Sequence, residues 1–168
     1  MSDSDDGGTV VRIVAPFGRD ADSIAAVLAN AGLKPHIAPG LEALASQLDD
    51  CTGLVVVTQE AVARGSDVLQ QALQLQPAWS DIPFILLRSA RSYRRSTREP
   101  LLPGSINVVE MDRPLGSMSL LSAVQGALRA RGKQFVVRDQ VTALADGRAA
   151  LARSESELRL IADAMPVL

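Results

Sequence analysis

Residues 53–58 read GLVVVT, an apolar run that turns polar only at its last position. A strand that is apolar at every step has no face to show to water, so it belongs inside a sheet covered on both sides. Parallel sheets have that arrangement, because their crossover helices pack on the two faces. The run therefore commits the chain to an α/β architecture, provided its flanks supply further strands and helices in alternation.

They do. VVRIVAP (10–16) reads as a strand, and DADSIAAVLANAGL (20–33) as a helix with Ile24, Val27, Leu28 and Ala31 on one face. Asp20 or Asp22 is the expected cap of its first turn, and Gly32 its stop. KPHIA (34–38) is a short strand whose Pro35 cannot donate to a ladder, which places it on a sheet edge. GLEALASQLDD (40–50) and SDVLQQALQLQ (66–76) are amphipathic helices on either side of the 53–58 strand. IPFILLR (82–88) is the next buried strand, with the rigid turn PAWSDIP before it and Trp79 and Phe84 packing near its start. SARSYRRSTREPLLPG (89–104) is basic and loop-like with room for a short irregular helix, SINVVEM (105–111) is a strand, and SMSLLSAVQGALRARG (117–132) is a helix using Leu120, Leu121, Val124 and Leu128.

Five βα repeats predict a doubly wound, flavodoxin-like α/β fold with five parallel strands, right-handed crossovers and, from the edge position of Pro35, the order 2-1-3-4-5. A dinucleotide-binding unit is the competing topology. Its first turn would need a G-x-G-x-x-G pattern, and APFGRDA offers one glycine.

Past residue 131 the strand pattern ends. Residues 132–168 are rich in Ala, Arg, Glu and Leu, and Val137, Leu144, Leu151 and Leu158 recur every seven residues. With these at d, the a positions are Val141, Arg148, Glu155 and Ala162, a strong d seam beside a poor a seam. Two readings stand: a helix packing back on its own domain, or a two-stranded coil, with Val137, Val141, Leu144, Leu151 and Leu158 at the contact. The expected organisation is a disordered acidic tail (1–8), a domain (9–131) and a helical linker (132–168).

Composition narrows the function. A net charge of −2 gives no global attraction to nucleic acid or to anionic membrane. No apolar run approaches the ~20 residues that span a bilayer, and MSDSDDGG lacks the basic and apolar regions of a signal peptide. The single cysteine, Cys51, excludes an internal disulfide and fits a reducing cytoplasm. His36, the one histidine, has no partner ligand in view. Arg88, Arg91, Arg94, Arg95 and Arg98 gather five guanidinium groups around Tyr93. They read as a solvated basic loop, or as an anion or nucleotide site, since Arg suits bidentate phosphate recognition, or as a protein contact.

The βα order, the strand IPFILL, the RP at 113–114 and the final helix together resemble the receiver domain of two-component signalling, over residues 9 to about 130. VRDQVTALADGRAALARSESELRLIADAMPVL is similar to the linker helix that leads into a PAS sensor domain, with RLIADAMPVL as its amino-terminal cap. The resemblance implies an amino-terminal fragment of a cytoplasmic sensor histidine kinase.

It also assigns positions. Receivers hold magnesium with two acids at the end of the first strand, and Ala15 and Pro16 stand there. The phosphoacceptor Asp is replaced by Thr58; the Ser or Thr ending the fourth strand by Arg88, with Ser89 next; the Lys before proline by Arg113. Mg²⁺ takes hard oxygens, usually including carboxylates, and Ala15 and Pro16 offer only backbone carbonyls. A neutral Thr hydroxyl without a base or metal is a poor nucleophile. Asp20 is expected as a helix cap and Glu60 as a solvated residue beyond the strand. The resemblance thus implies a degenerate receiver without catalysis, metal or cofactor, acting as a signalling and dimerisation module. The homodimer would use the terminal helix, together with the face receivers build from the helix after the fourth strand, the fifth strand and the final helix, to which Leu120 and Val124 would contribute.

Overall fold

The computed structural model describes residues 10–65, 67–89, 102 and 107–165. The apolar run becomes β3, Thr52–Thr58, and all seven of its residues are buried. On one side lie β1 (Val10–Val14) and then β2 (Lys34–Ile37); on the other, β4 (Phe84–Ser89) and then β5 (Val108–Arg113). All pairings are parallel and the order is β2-β1-β3-β4-β5. Pro35 sits opposite Val11 on the outermost strand, where a missing N–H costs no ladder bond.

The period-two alternation of β3 sorts two cores. Leu54 and Val56 point to the face covered by α1 (Asp20–Asn30) and the start of α5 (Ser117–Ala164), meeting Ile24, Leu28, Leu120 and Val124. Val55 and Val57 point to the face covered by α2 (Leu41–Gln47) and α4 (Asp67–Gln74), meeting Leu44, Leu69 and Leu73. Leu120 and Val124 are therefore interior, 5% and 0% exposed, and cannot form the dimer surface expected of them. The helix expected after the fourth strand falls at 90–101 and 103–106, outside the described residues, so only the fifth strand and final helix of that face are in view.

Several boundaries shift for local reasons. α1 ends at Asn30, and Gly32 takes φ +79°, with Leu33 N–H donating to the Leu28 carbonyl, the six-to-one bond of a left-handed helix stop. α2 stops at Gln47, three residues early, because Asp49 turns its carboxylate to accept from the Thr52 hydroxyl and the Cys51 N–H. β4 begins at Phe84, after Pro83, and β5 runs to Arg113 instead of ending at 111. A one-turn helix, α3 (Gln59–Val62), follows β3 directly.

The largest difference is at the carboxyl end. The helix does not stop near 132. α5 is one helix of 48 residues, about 72 Å long at 1.5 Å per residue. Its packing on the sheet continues through Arg131, Phe135 and Arg138, so residues 132–138 are still part of the folded body. From 139 to 165 every residue is exposed. Val137, Val141, Leu144, Leu151 and Leu158, the five seam residues, all lie on solvent-facing helix surface. Residues 139–165 do not pack back on their own domain.

Candidate functional site

The carboxyl ends of the strands form the crevice where open α/β sheets bind ligands. Thr58 closes β3 there and is 3% exposed. Ala15 follows β1, also buried, and Pro16 is exposed beyond it. Arg113, the last residue of β5, dominates the crevice. Its Nη1 donates to Asp20 Oδ2 at 2.6 Å, its Nη2 to Glu60 Oε1, and its Nε to the Arg88 carbonyl at 3.4 Å. One guanidinium thereby ties the starts of α1 and α3 to the ends of β4 and β5.

This corrects the roles expected for two acids. Asp20 does not cap α1: Arg19 occupies the cap position, and no side chain bonds there. Glu60 is not merely solvated. Both acids reach the mouth of the sheet and meet a cation when they arrive. Arg113 with Asp20 and Glu60 carries a formal net charge of −1, and the planar fork of the arginine gives each carboxylate its own Nη while Nε is left for the Arg88 carbonyl. Nearby, the Gln59 amide oxygen accepts from the Ser89 N–H at 3.3 Å, holding β4's end to α3. Phe17 and Arg64, from the loops after β1 and α3, stack at 4.4 Å. Behind the clasp is a cavity of about 700 Å³ between α1 and the start of α5, with Ile24, Val27, Leu115 and Leu120 in its apolar wall.

Arg113 is about one-quarter exposed, and its two partners are 46% and 38% exposed. Screened pairs of this kind contribute about 1 kcal/mol together. Arg113→Ala should therefore lower unfolding stability by roughly that amount at low salt, and the difference from wild type should shrink in 1 M NaCl, where the screening length falls to about 3 Å. Urea titrations at the two salt concentrations measure it.

Of the expected anion-binding arginines, Arg88 alone lies in the described residues. Its Nη1 donates to Glu110 Oε2 on the neighbouring strand at 2.7 Å, so its charge already has a protein partner. Arg91, Arg94, Arg95 and Arg98 lie outside the described residues. His36 is exposed on the edge strand. Among the described residues no three His, Cys, Asp or Glu side chains group closely enough to hold a metal ion, and no helix is long and apolar enough to cross a membrane.

A second cluster lies at the opposite end of the sheet, where α5 leaves the body. Arg131 is 0% exposed. Its Nε donates to the Thr52 carbonyl at 3.0 Å, and its Nη1 to Ser80 Oγ at 2.9 Å and Gln134 Oε1 at 2.5 Å. Its Nη2 is buried without a protein acceptor. Gln134 in turn accepts from the Asp81 N–H and donates to the Asp81 carbonyl. Trp79 packs on Phe135 with ring centroids 6.2 Å apart, and the guanidinium groups of Arg131 and Arg138 lie over both rings. Burial pushes the Arg131 pKa down to about 10, against the pull of Asp50 and Asp81 and with a small push from Arg138. The group still carries its charge at neutral pH. The unfolded chain holds the proton more tightly, so the shift leaves stability flat at neutral pH and raises it only in strong alkali, above about pH 10. The sequence reading missed this cluster; the signal was present in the spacing of 120, 124, 131 and 135, which sets an arginine on the inward face of the helix.

The comparisons concern the fold. No family model and no curated protein matches the chain. Among solved structures, a response regulator receiver domain protein (CheY-like) from Methanospirillum hungatei superposes with a TM-score of 0.54 at 20% identity, covering 76% of this chain and 98% of that one. Full-length FixJ from B. japonicum gives 0.54 at 18%, covering 73% of this chain; the match spans only 59% of FixJ's own length. A fusion carrying the trimeric coiled coil of yeast Spc42 gives 0.56 at 21%, covering 92% of this chain and 97% of that one. The sheet and its helices have the fold of response regulator receiver domains, with a coiled-coil-like helix extended from it.

Proposed function

We propose that this chain is a pseudo-receiver: a signalling module without catalysis that pairs two copies through α5 and forms the amino-terminal part of a PAS-containing sensor histidine kinase in the cytoplasm. The observation that carries the reading is the Arg113 clasp. A phosphorylatable crevice needs carboxylate oxygens open to a divalent ion. Here the two acids that reach the mouth hold a guanidinium between them, and β3 delivers a hydroxyl. Phosphoryl transfer depends on metal and positioned cations around the transferring group, and a threonine without them is inert.

The dimer half of the reading rests on residues 139–165. Most helical stability in proteins comes from packing one apolar face, and every residue from 139 to 165 is exposed in the single chain. Val141, Leu144, Leu151, Leu158, Ile161 and Met165 supply that face and leave it open in the single chain.

Incubation with acetyl phosphate and Mg²⁺ tests the first half. Intact-mass measurement should find no phosphoryl adduct on the wild type or on Thr58→Asp, because Ala15 and Pro16 still bring no carboxylate. An adduct on the wild type sinks the non-catalytic reading. Light scattering at micromolar concentration tests the second half, with twice the chain mass expected.

A further inference from the structure

We infer that the cavity behind the Arg113 clasp binds a small amphipathic amine, with one positive head on the two acids and an alkyl or aryl body on the apolar wall. The site goes beyond the pairing reading and is complete in a single copy. Its volume, about 700 Å³, falls within the range of small-molecule clefts, about 300–1,000 Å³. α1 contributes Ser23, Ile24 and Val27 to it, and the stretch from β5 into α5 contributes Pro114, Leu115, Ser117 and Leu120.

The charge of the lining chooses the head. Among the described residues, Asp20, Glu60 and Arg113 are the charged ones that line the cavity, two negative and one positive, so they sum to −1. Arg113 takes one oxygen from each acid, Oδ2 of Asp20 and Oε1 of Glu60. Asp20 Oδ1 and Glu60 Oε2 accept no hydrogen bond from the described residues, so each is left for a further donor. An ammonium brings three N–H donors and no acceptor, which suits a pair of carboxylate oxygens. One positive charge brings the three side chains to neutrality; a divalent ion overshoots it, and an anionic head doubles the deficit. Ser117 lies at the start of α5, which no side chain caps, and that helix end brings about half a positive charge. It softens the field without reversing its sign.

The wall chooses the body. Ile24 and Leu120 are 8% and 5% exposed, and Val27 and Leu115 are half-buried. Side chains that are packed this far into the domain hold the cavity open before a ligand arrives. Covering them removes apolar surface from water, which an inorganic cation cannot do. The ligand chemistry is therefore a single cation carrying an apolar body. An occupant touches α1 and the start of α5 together, and so reaches the helix whose other end leaves the body.

4-Phenylbutylamine is the probe, followed by titration calorimetry and by amide NMR shifts at Ile24, Val27, Leu115 and Ser117. A ligand of this size should bind with a Kd on the order of 0.1–1 mM. 4-Phenylbutanoate has the same body and the opposite head, and it should bind at least about tenfold more weakly. Butylamine keeps the head and lacks the ring, and should weaken by at least about the same factor. Asp20→Asn/Glu60→Gln leaves Arg113 alone and turns the lining from −1 to +1, so the preference should reverse toward 4-phenylbutanoate. Val27→Trp fills the cavity and should abolish binding while the thermal melt stays cooperative. Neither heat nor shifts at about 10 mM amine overturns the site. Equal binding of the two heads by the wild type, or amine binding that survives either variant, overturns it as well. None of these readings depends on pairing, so the site and the dimer stand or fall separately.

Discussion

Arg131→Ala will cost the protein about 3 kcal/mol of unfolding stability, lowering the melting temperature by roughly 10 °C. The size follows from what the truncation leaves behind. Thr52's carbonyl, Ser80's hydroxyl and Gln134's amide oxygen each lose a charge-assisted donor. The Thr52 carbonyl opens β3, the most buried strand, and a buried acceptor without a donor costs about 1–3 kcal/mol. The guanidinium also lies over the Trp79 and Phe135 rings, and alanine would leave that space unfilled. Arg131→Met separates the two causes. It keeps most of the volume and removes the buried charge, so it should recover part of the loss; replacing buried ions by apolar side chains of like size is often tolerated. Trp79 is the only tryptophan, so its fluorescence in urea reports on this cluster. A change below about 0.5 kcal/mol for the alanine variant would show that the helix is held by other contacts.

Arg131 also shows where sequence reasoning reached and where it stopped. The sheet was legible because its signals are local. The unbroken GLVVVT run could only be central, and Pro35 could only be at an edge, and together they gave the strand order. The end of the body was not legible, because composition and geometry disagree there. Gly132 and the turn to Ala, Arg and Glu suggest a new element, yet the inward spacing of Leu120, Val124, Arg131 and Phe135 continues without a break. An arginine on that stripe reads as solvent-facing unless its acceptors are known, and those come from Thr52 and Ser80, 79 and 51 residues earlier.

The crevice divides the same way. Thr58 and Arg113 could be placed by counting along the elements. The clasp could not, since Arg113 is 93 residues from Asp20 and 53 from Glu60, and no periodicity links side chains at such distances. Asp20 in a first helical turn has an ordinary explanation as a cap, and the structure replaces it with a partner across the sheet. The loss of carboxylates inferred from Ala15, Pro16 and Thr58 is therefore only part of the physical picture. Acids do reach the mouth, and an arginine neutralises one of the two charges.

Two truncations will locate the point at which α5 stops holding the body together. Among the described residues, ending the chain after Arg138 removes only exposed ones, so a single copy should lose less than about 0.5 kcal/mol. Ending it after Arg131 removes Gln134, Phe135 and Arg138 and leaves Arg131 on a fraying terminus. Phe135 is 9% exposed, and Gln134 makes both bonds to the Asp81 backbone. Their loss should cost about 4 kcal/mol, a large share of the 5–15 kcal/mol that holds a typical domain. Concentration separates the body's stability from the dimer's. Association stabilises the folded state by mass action, so the full chain should melt at higher temperature as concentration rises, and the chain ending at Arg138 should not. If the two truncations melted alike, the Trp79–Phe135 cluster would be an accessory to the body. If the chain ending at Arg138 kept the concentration dependence, the association surface would lie on the sheet and its helices, and the exposed stripe from Val141 to Met165 would need another partner.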